Sequence, residues 1–363
     1  MQFIDACGVP YTPNKYLSFD DVSLVPKPSD IDSRNDPSIK LDTFLTPSIK
    51  IRTPILSANM DCVTGAEMVL GLAQEGAFGI LHRSYPEEDL YIEDIAKVAA
   101  KLGVVAFSIG ADKSQLDFVS RVLEKVPSQK YVVCVDVAHG HLQKSITQVV
   151  NLTRKFGPAI EIMAGNVCTA VGAADLIEAG ARSIKVGVGN GHACSTRIVT
   201  GHGVPQLTAI MQCRQAINAT RTNTTLIADG GIRNSGDIIK ALAAGADMVM
   251  IGRLFAGADE IPMPTSELIK PSGDRYVFYR GQSSEQFMID TGKKGVAPEG
   301  ESWPVLRSGP VGPIVKKLLG GIRSGMSYSG VRNLKDLNAK ATFIEVGYHG
   351  YIEGTPHGKS NNG

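Results

Sequence analysis

The chain has 363 residues, of which 43% are hydrophobic and 20% are charged, and its formal net charge at pH 7 is +1. This composition is that of a globular protein able to bury a full core, and the small net charge argues against binding to nucleic-acid phosphates. No run of about 18 apolar residues occurs, and the N-terminus lacks the basic-then-apolar order of a signal peptide, so we expect neither a membrane span nor secretion.

Eight short apolar runs recur along the chain, and a helix-like pattern follows most of them. The runs cover residues 54–58, 78–81, 104–109, 131–135, 160–164, 183–187, 226–228 and 248–251. Continuous rather than alternating apolar strands predict a parallel sheet that is covered on both faces. The amphipathic segments between them include 64–74, 114–124, 169–179 and 234–244. Eight such units around one core predict an α/β fold, a TIM (β/α)8 barrel, with chemistry on the loops after the strands.

Three segments lie outside the repeated units, and we expect the barrel itself to occupy 51–257 and 313–345. Residues 1–50 form an N-terminal extension, whose stretch 18–22 we expect to pack at the base of the barrel. Residues 258–312 form a long Pro- and Gly-rich insertion, which is typical of an active-site lid. Residues 346–363 are rich in Gly, His and Asn and predict a mobile tail.

The stretch 183–197 has the sequence SIKVGVGNGHACSTR and carries the strongest chemical signal. It runs from a buried strand into a loop with three glycines, which allow positive φ angles and close approach to a ligand. Cys194 at the end of this loop is a candidate nucleophile, because His192 and Arg197 lie nearby and positive neighbours lower the pKa of a thiol. The alternative is that Cys194 is a small buried hydrophobic residue, as cysteines commonly are.

The remaining cysteines and the histidines indicate no further site. Cys62, Cys134 and Cys168 lack the setting of Cys194, and we expect them to pack in the core. Six cysteines without a C-x-x-C pair are no disulfide framework, which predicts a reducing, cytoplasmic location. The histidines show no metal-ligand spacing, so a zinc site is not expected.

Glycine-bearing loops follow the seventh and eighth predicted strands, at Asp229-Gly230-Gly231 and at Gly252-Arg253. In many barrels these two loops form a phosphate site from backbone N–H groups and a helix N-terminus. The Arg253 side chain would add a charge-assisted hydrogen bond, and the Asp229 carboxylate suits a pair of ribose hydroxyls. Alternatively, the glycines only shape turns and Asp229 caps a helix.

Together these motifs resemble the IMP dehydrogenase/GMP reductase family over nearly the whole chain, from 19–22 (FDDV) to 321–324 (GIRS). The most specific matches are the G-x-G-x-G-x-x-C-x-T-R pattern at 187–197 and D-G-G at 229–231. In that family a cysteine attacks C2 of a purine nucleotide and forms a covalent intermediate. The resemblance implies that Cys194 is this nucleophile. We expect no CBS regulatory module, because none interrupts the chain near residues 85–92.

Three features are similar to the reductase branch of the family, which converts GMP to IMP and ammonia with NADPH. Residues 57–61 read SANMD, residues 279–285 read YRGQSSE, and residues 288–296 lack the Arg-Tyr pair with which dehydrogenases activate water. The resemblance therefore implies GMP reduction through a covalent adduct. The alternatives are an IMP dehydrogenase that forms XMP with NAD, a divergent reductase for another purine nucleotide, and a nucleotide sensor without turnover.

The resemblance also implies roles for particular residues. Thr196 and Glu299 would relay a proton to the departing ammonia. Substrate contacts are implied for Ser57, Asn59, His192, Asp229, Gly230, Gly231, Gly252, Arg253, Tyr279, Gly281, Gln282 and Ser283. Contacts with NADPH are implied for Asp136, Ala138, His139, Asn166 and Glu285. The carbonyl groups of Gly187, Gly189 and Cys194 match a monovalent-cation loop, with K⁺ as the candidate ion, and the family's members form homotetramers.

The chain departs from the family's usual pattern at several of these positions. Asn190 and His192 stand where Pro and Ser are usual, Arg253 stands in place of Gly or Ser, and Gln282 in place of Met. Residues 136–141 (DVAHGH) look more like bacterial dehydrogenases. These differences predict a bulkier and more cationic phosphate site.

Overall fold

The structure is a computed structural model and describes residues 2–5, 7–262, 267–293 and 295–356. Of the predicted tail, residues 357–363 therefore lie outside the described part of the chain. The N-terminal extension contains five short strands and one 3₁₀ turn, Phe19–Asp21. The strands are β1 (Gln2–Ile4), β2 (Pro10–Tyr11), β3 (Val22–Leu24), β4 (Thr43–Thr46) and β5 (Ile49–Ile51).

Eight parallel strands form the central sheet, and each coincides with one of the eight predicted apolar runs. They are β6 (Ile55–Ser57), β7 (Phe78–Gly79), β8 (Val104–Ile109), β9 (Lys130–Asp136), β10 (Glu161–Val167), β11 (Ser183–Val186), β12 (Thr225–Asp229) and β13 (Met248–Ile251). The strand order is β7-β6-β13-β12-β11-β10-β9-β8. A parallel bridge between Leu81 and Phe107 brings the two ends together, so the sheet closes into the predicted TIM barrel.

Helices cover the outside of the barrel. They are α1 (Ala66–Gln74), α2 (Glu88–Leu102), α3 (Gln115–Lys125), α4 (Gln143–Phe156), α5 (Ala170–Ala179), α6 (Thr196–Thr200), α7 (Gln206–Thr220) and α8 (Ser235–Ala244). Local sequence sets their ends: the Thr169 and Asn234 side chains accept hydrogen bonds from the first turns of α5 and α8, as N-cap residues do. Helix α2 follows β7 after a short loop, with no inserted domain between them.

The chain after β13 forms a second, smaller sheet and then returns to the barrel. The sheet contains β14 (Glu267–Ile269), β15 (Arg275–Arg280) and β16 (Ser302–Leu306), with the short helix α9 (Glu285–Asp290) between β15 and β16. The last elements are α10 (Val311–Tyr328), α11 (Leu334–Lys340), β17 (Thr342–Glu345) and α12 (Tyr348–Glu353). No described helix has the length and apolar character that a membrane span requires.

The core has two layers, as a parallel barrel requires. Inside the barrel, alternate strand residues such as Leu56, Met163 and Met248 are fully buried. The β4–β5 hairpin closes the N-terminal end of the barrel, because the Leu45 carbonyl accepts hydrogen bonds from Ser183 at 2.6 Å and Thr225 at 2.8 Å. The loops that follow the strands lie at the opposite, carboxyl-terminal rim, where barrels of this type carry their sites.

The N-terminal stretch 18–22 lies at this rim, and the expectation that it packs at the base was wrong. Ser18, Phe19 and Asp20 line the same cavity as Cys194. The physical reason is an ion pair: Arg233, in the loop after β12, donates to Asp20 at 2.9 Å. Phe19 and Val22 are buried, but the sequence of 18–22 contains no information about which end of the barrel the stretch covers.

Candidate active site

The loop after β11 has a conformation that depends on its glycines. Gly187 and Gly189 have φ angles of 146° and 78°, which L side chains rarely adopt. A Cβ atom at Gly187 would lie 2.0 Å from the Asp229 carbonyl oxygen, so the loop and the end of β12 touch backbone to backbone. The loop then turns back on itself, with the Cys194 N–H donating to the Gly191 carbonyl at 3.0 Å.

Cys194 begins a hydrogen-bonded chain of three side chains. Its Sγ donates to Thr196 Oγ1 at 3.1 Å, and Thr196 Oγ1 donates to Glu299 Oε2 at 2.9 Å. Backbone hydrogen bonds hold the distant partner in place, since Ser195 N–H donates to the Glu299 carbonyl at 3.0 Å. The arrangement gives a thiol proton a path to a carboxylate, which is the geometry of a nucleophile with its acid–base partner.

A cavity of about 540 Å³ opens in front of Cys194, and we call it the Cys194 cavity. It brings together most of the predicted site residues. Its lining includes Ala138, Gly189, His192, Cys194, Thr196, Asp229, Gly230, Gly231, Gly252, Arg253, Tyr279, Gly281, Gln282, Ser283 and Glu299.

Cationic groups collect at one end of the cavity, between the loops after β12 and β13. The Nε atom of Arg253 is buried and has no hydrogen-bond partner within the described part of the chain. Burial, followed by the charges of Arg253 and Arg233, lowers the pKa of His192 below its ordinary value. The His192 ring packs edge-on against Trp303 at 5.0 Å. An unpaired guanidinium in a concave site is a ready partner for an anion.

A buried polar network lies behind the cavity and was only partly predicted. The Lys185 side chain is 2% exposed, and its Nζ lies 2.6 Å from Asp136 Oδ1 and 3.5 Å from Asp229 Oδ2. Burial alone would lower the pKa of Lys185, but Asp136 and the other neighbouring acids outweigh it, and the pKa is raised. Asn166 Nδ2 donates to Asp229 Oδ2 at 2.9 Å, so the amide and the ammonium together fix this carboxylate.

Lys185 was not predicted as a site residue, because in the sequence it is a single polar residue within an apolar strand. The signal that could have found it is physical: a lysine inside a buried strand requires a carboxylate partner, and Asp136 and Asp229 end two nearby strands of the barrel.

The segment after β15 reaches the opposite wall of the cavity. Gln282 Nε2 donates to the Asn59 carbonyl at 2.8 Å, and Glu299 N–H donates to the Ser283 carbonyl at 2.9 Å. The Gln282 side chain is therefore anchored to the loop after β6, which fixes the orientation in which it faces the cavity.

Six predicted contact residues do not line the Cys194 cavity. Asp136 and Asn166 belong to the polar network behind it, and the other four lie elsewhere. Ser57 is fully buried and accepts a hydrogen bond from Thr64 at 2.8 Å, and Asn59 is buried behind Gln282. His139 is exposed beside His141. Glu285 lines a separate cavity on the other side of the Cys194 loop. Whether such a residue faces the cavity depends on the direction of its side chain, which its position along the chain does not reveal.

Four of the other cysteines behave as packing residues, whereas Cys7 is exposed. Burial raises the pKa of Cys62, Cys134 and Cys213 to about 12, and it also raises the pKa of Cys168. Over the described residues, no group of three or more His, Cys, Asp and Glu side chains is placed to hold a metal ion. In the predicted cation loop, the Gly187 carbonyl accepts a hydrogen bond from Asn166 Nδ2 at 2.9 Å.

The fold and this cavity define a TIM-barrel protein with a cysteine, hydroxyl and carboxylate at the carboxyl-terminal rim. The family model for the IMP dehydrogenase/GMP reductase domain matches residues 16–357. Inosine-5'-monophosphate dehydrogenase of Borreliella burgdorferi is 35% identical, over 95% of this chain and 98% of that protein. The corresponding enzyme of Aquifex aeolicus is 32% identical, over 94% and 95%.

The fold of a known structure also matches. A cysteine-to-alanine variant of GMP reductase from Trypanosoma brucei, in complex with guanosine 5'-monophosphate, superposes with a TM-score of 0.84 and 26% sequence identity. The match covers 96% of this chain and 99% of the other. The chain belongs to the IMP dehydrogenase/GMP reductase family, a family of oxidoreductases that bind purine nucleotides and use nicotinamide cofactors. The resemblance and the barrel predicted from sequence are both confirmed.

Proposed function

We propose that the protein is a GMP reductase, which removes the 2-amino group of GMP as ammonia and delivers IMP. Cys194 attacks C2 of the purine, the amine leaves, and a covalent adduct between sulfur and C2 remains. The adduct is then reduced at C2, which breaks the carbon–sulfur bond and returns the thiol.

The hydrogen-bonded chain from Cys194 through Thr196 to Glu299 carries the proposal. An amine leaves readily only when it takes up a proton, so the reaction needs an acid close to the attacking sulfur. The thiol proton can pass through the Thr196 hydroxyl to the Glu299 carboxylate and from there to the leaving group. This one relay supports both the activation of the thiol and the departure of ammonia.

The remaining lining residues fit a purine nucleotide. Asp229, held by Asn166 and Lys185, would accept hydrogen bonds from the ribose hydroxyls. The backbone of Gly231 and Gly252, with the Arg253 guanidinium, would bind the 5'-phosphate. His192 and Tyr279 complete this end of the cavity, and Gly230, Gly281, Gln282 and Ser283 would surround the base.

The residues at the ends of β9 and β10 fit a nicotinamide cofactor, which we propose to be NADPH. Ala138 lines the same cavity as Thr196 and Glu299, and Asp136 stays ionised because Lys185 lowers its pKa against the effect of burial. When bound, NADPH supplies the hydride to C2. Asp136, Ala138 and Asn166 would hold and orient it, whereas His139 and Glu285 would touch only its distal part.

A cation and an assembly form part of the same proposal. K⁺ at the glycine loop would take carbonyl oxygens of Gly189 and Cys194, and it would share the Gly187 carbonyl with Asn166. We also propose a homotetramer, as the family resemblance implies.

The second candidate is an IMP dehydrogenase, and two observations favour it. The curated relatives at 35% and 32% identity carry that name, and residues 136–141 follow the dehydrogenase pattern. Both reactions share the Cys194 adduct and differ in whether water or hydride removes it. We favour the reductase because the segment 288–296 contains no Arg-Tyr pair to activate water.

Two parallel reactions test the proposal, one with GMP and NADPH and one with IMP and NAD, each followed by nicotinamide absorbance. The reductase predicts loss of NADPH with an equal amount of ammonia in the first reaction and no signal in the second. NADH formation confined to the second reaction would establish the dehydrogenase instead. Silence in both, with GMP and IMP bound, would direct the search to another purine nucleotide.

A further inference from the structure

Arg280, at the end of β15, joins the barrel to the helix α9. Its Nε donates to Asp61 Oδ2, in the loop after β6, at 3.1 Å, and its second terminal nitrogen also binds Asp61. The remaining terminal nitrogen binds Asp290, the last residue of α9. The guanidinium lies 5.4 Å from the centre of the Phe287 ring, and its side chain is only 11% exposed.

The two carboxylates differ in how firmly the surrounding structure holds them. The Asp61 side chain is 12% exposed and that of Asp290 is 34% exposed. Asp61 belongs to the barrel rim, and its neighbour Cys62 accepts from the Arg280 N–H at 3.5 Å. Arg280 is therefore fixed to the barrel on the Asp61 side, while its bond to Asp290 is the one that α9 can break and remake.

The segment that contains α9 also contains residues of the proposed active site. Ser284, the N-cap of helix α9, comes directly after Gln282 and Ser283. The Ser283 carbonyl accepts from Glu299 N–H at 2.9 Å, and the Glu299 carbonyl accepts from Ser195 N–H at 3.0 Å. Movement of α9 would therefore reach Glu299 and the Cys194 loop through two backbone hydrogen bonds.

We propose that Arg280 is a positioning residue whose bond to Asp290 keeps α9 closed and excludes water from the Cys194 adduct. This inference rests on the proposed function, since it assumes that an adduct must be protected until it is reduced. Arg280 touches no reacting atom in this account. It acts through the placement of Gln282, Ser283 and Glu299.

Opening of α9 has a defined chemical consequence. Water that reaches the adduct attacks C2, the Cys194 sulfur leaves as thiolate and regains a proton, and XMP is released. This step needs no oxidant or reductant, because the adduct and XMP have the same oxidation level at C2. The ratio of XMP to IMP made from GMP therefore measures how well the segment excludes water.

The first test compares amide hydrogen exchange in residues 281–293 of the full chain with IMP bound. Asp290→Asn removes the charge on α9 and keeps its shape, and we expect exchange there to become roughly tenfold faster, as loss of a charge-assisted hydrogen bond implies. Glu267→Gln is the matched control, because it breaks the Arg275–Glu267 ion pair of the same small sheet, which does not involve α9. Unchanged exchange in Asp290→Asn would overturn the inference.

The second test measures products from GMP and NADPH. Arg280→Lys keeps the positive charge but loses the planar guanidinium that binds both carboxylates. Asp290→Asn and Arg280→Lys should each raise the XMP fraction severalfold over wild type, and Glu267→Gln should not. An unchanged product ratio in both variants contradicts the proposed role, and Arg280→Lys decides the matter if Asp290→Asn does not fold. If the wild type makes no IMP, the reductase proposal fails, and the exchange comparison still decides whether Arg280 holds α9.

Discussion

Glu299 is the residue on which turnover depends in this account, because it lies at the end of the only side-chain relay described from Cys194. We expect Glu299→Gln to lower the rate of GMP turnover by roughly 10²–10⁴-fold, since the amide cannot carry the proton. Nucleotide binding should change little. Trp303, the only tryptophan of the sequence, packs against His192 and Tyr279, so its fluorescence can report binding. Full activity in Glu299→Gln would show that another acid protonates the leaving amine.

His192 makes a separate prediction about pH. Burial and the neighbouring charges of Arg253 and Arg233 lower its pKa, so the ring is neutral at pH 7.5 in the free protein. Asp20, which lines the same cavity, is already bound to Arg233. A dianionic phosphate placed beside His192 favours the imidazolium, so binding takes up a proton.

The dissociation constant for IMP should therefore fall as pH falls from 8 to 6.5, by up to about tenfold per pH unit. The phosphate itself remains largely dianionic there, because its second pKa is about 6. His192→Ser should lose this dependence, and inosine, which lacks the phosphate, should never show it. If the dissociation constant for IMP depends equally on pH in wild type and His192→Ser, a group other than His192 takes up the proton on binding.

At the residue scale, sequence alone predicted the nucleophile and the loops after β12 and β13, because glycine spacing and strand ends are local properties. Thr196 and Glu299 came only from the family resemblance, since they are far apart along the chain. Backbone pairing of the Cys194 loop with residues 299–301 brings them together. Lys185 was missed, because its role depends on two carboxylates from other strands.

Among the elements, the loop after β11 gives the sharpest stability test. Gly187→Ala would place a Cβ atom 2.0 Å from the Asp229 carbonyl oxygen, at a φ of +146°. Gly201→Ala is the matched control, since its φ is +73° and nothing lies within 4 Å. We expect Gly201→Ala to cost about 1–2 kcal/mol for the left-handed backbone alone. Gly187→Ala should cost clearly more and also abolish turnover. Equal melting temperatures would show that the loop relaxes without the glycine.

Element boundaries were predictable wherever a local signal ends the element. Thr169 and Asn234 begin α5 and α8 as N-caps, and Gly180 and Gly245 end the same helices in the left-handed conformation. The position of the N-terminal stretch 18–22 was not predictable, because burial alone does not distinguish the base of a barrel from its rim. The small sheet β14–β16 was expected only as a long insertion.

On the scale of the whole molecule, the barrel supplies Cys194 and the phosphate loops, and the chain after β13 supplies Glu299, which we propose acts on the adduct. The sequence relatives carry the name of dehydrogenases and the similar solved structure that of a reductase. The two activities can share Cys194 and the phosphate loops, because these residues act before the adduct is either reduced to IMP or hydrolysed to XMP. We therefore expect the choice between IMP and XMP to depend on the chain after β15, which contains Gln282, Ser283 and Glu299.

Direct detection of the adduct tests the central claim. The protein is mixed with GMP without NADPH, quenched in acid, and its mass measured intact and after proteolysis. We expect a mass increase equal to GMP minus ammonia, located on the peptide that contains Cys194, and no increase in Cys194→Ala, which should still bind GMP. An adduct on another residue, or steady turnover of GMP by Cys194→Ala, would contradict it.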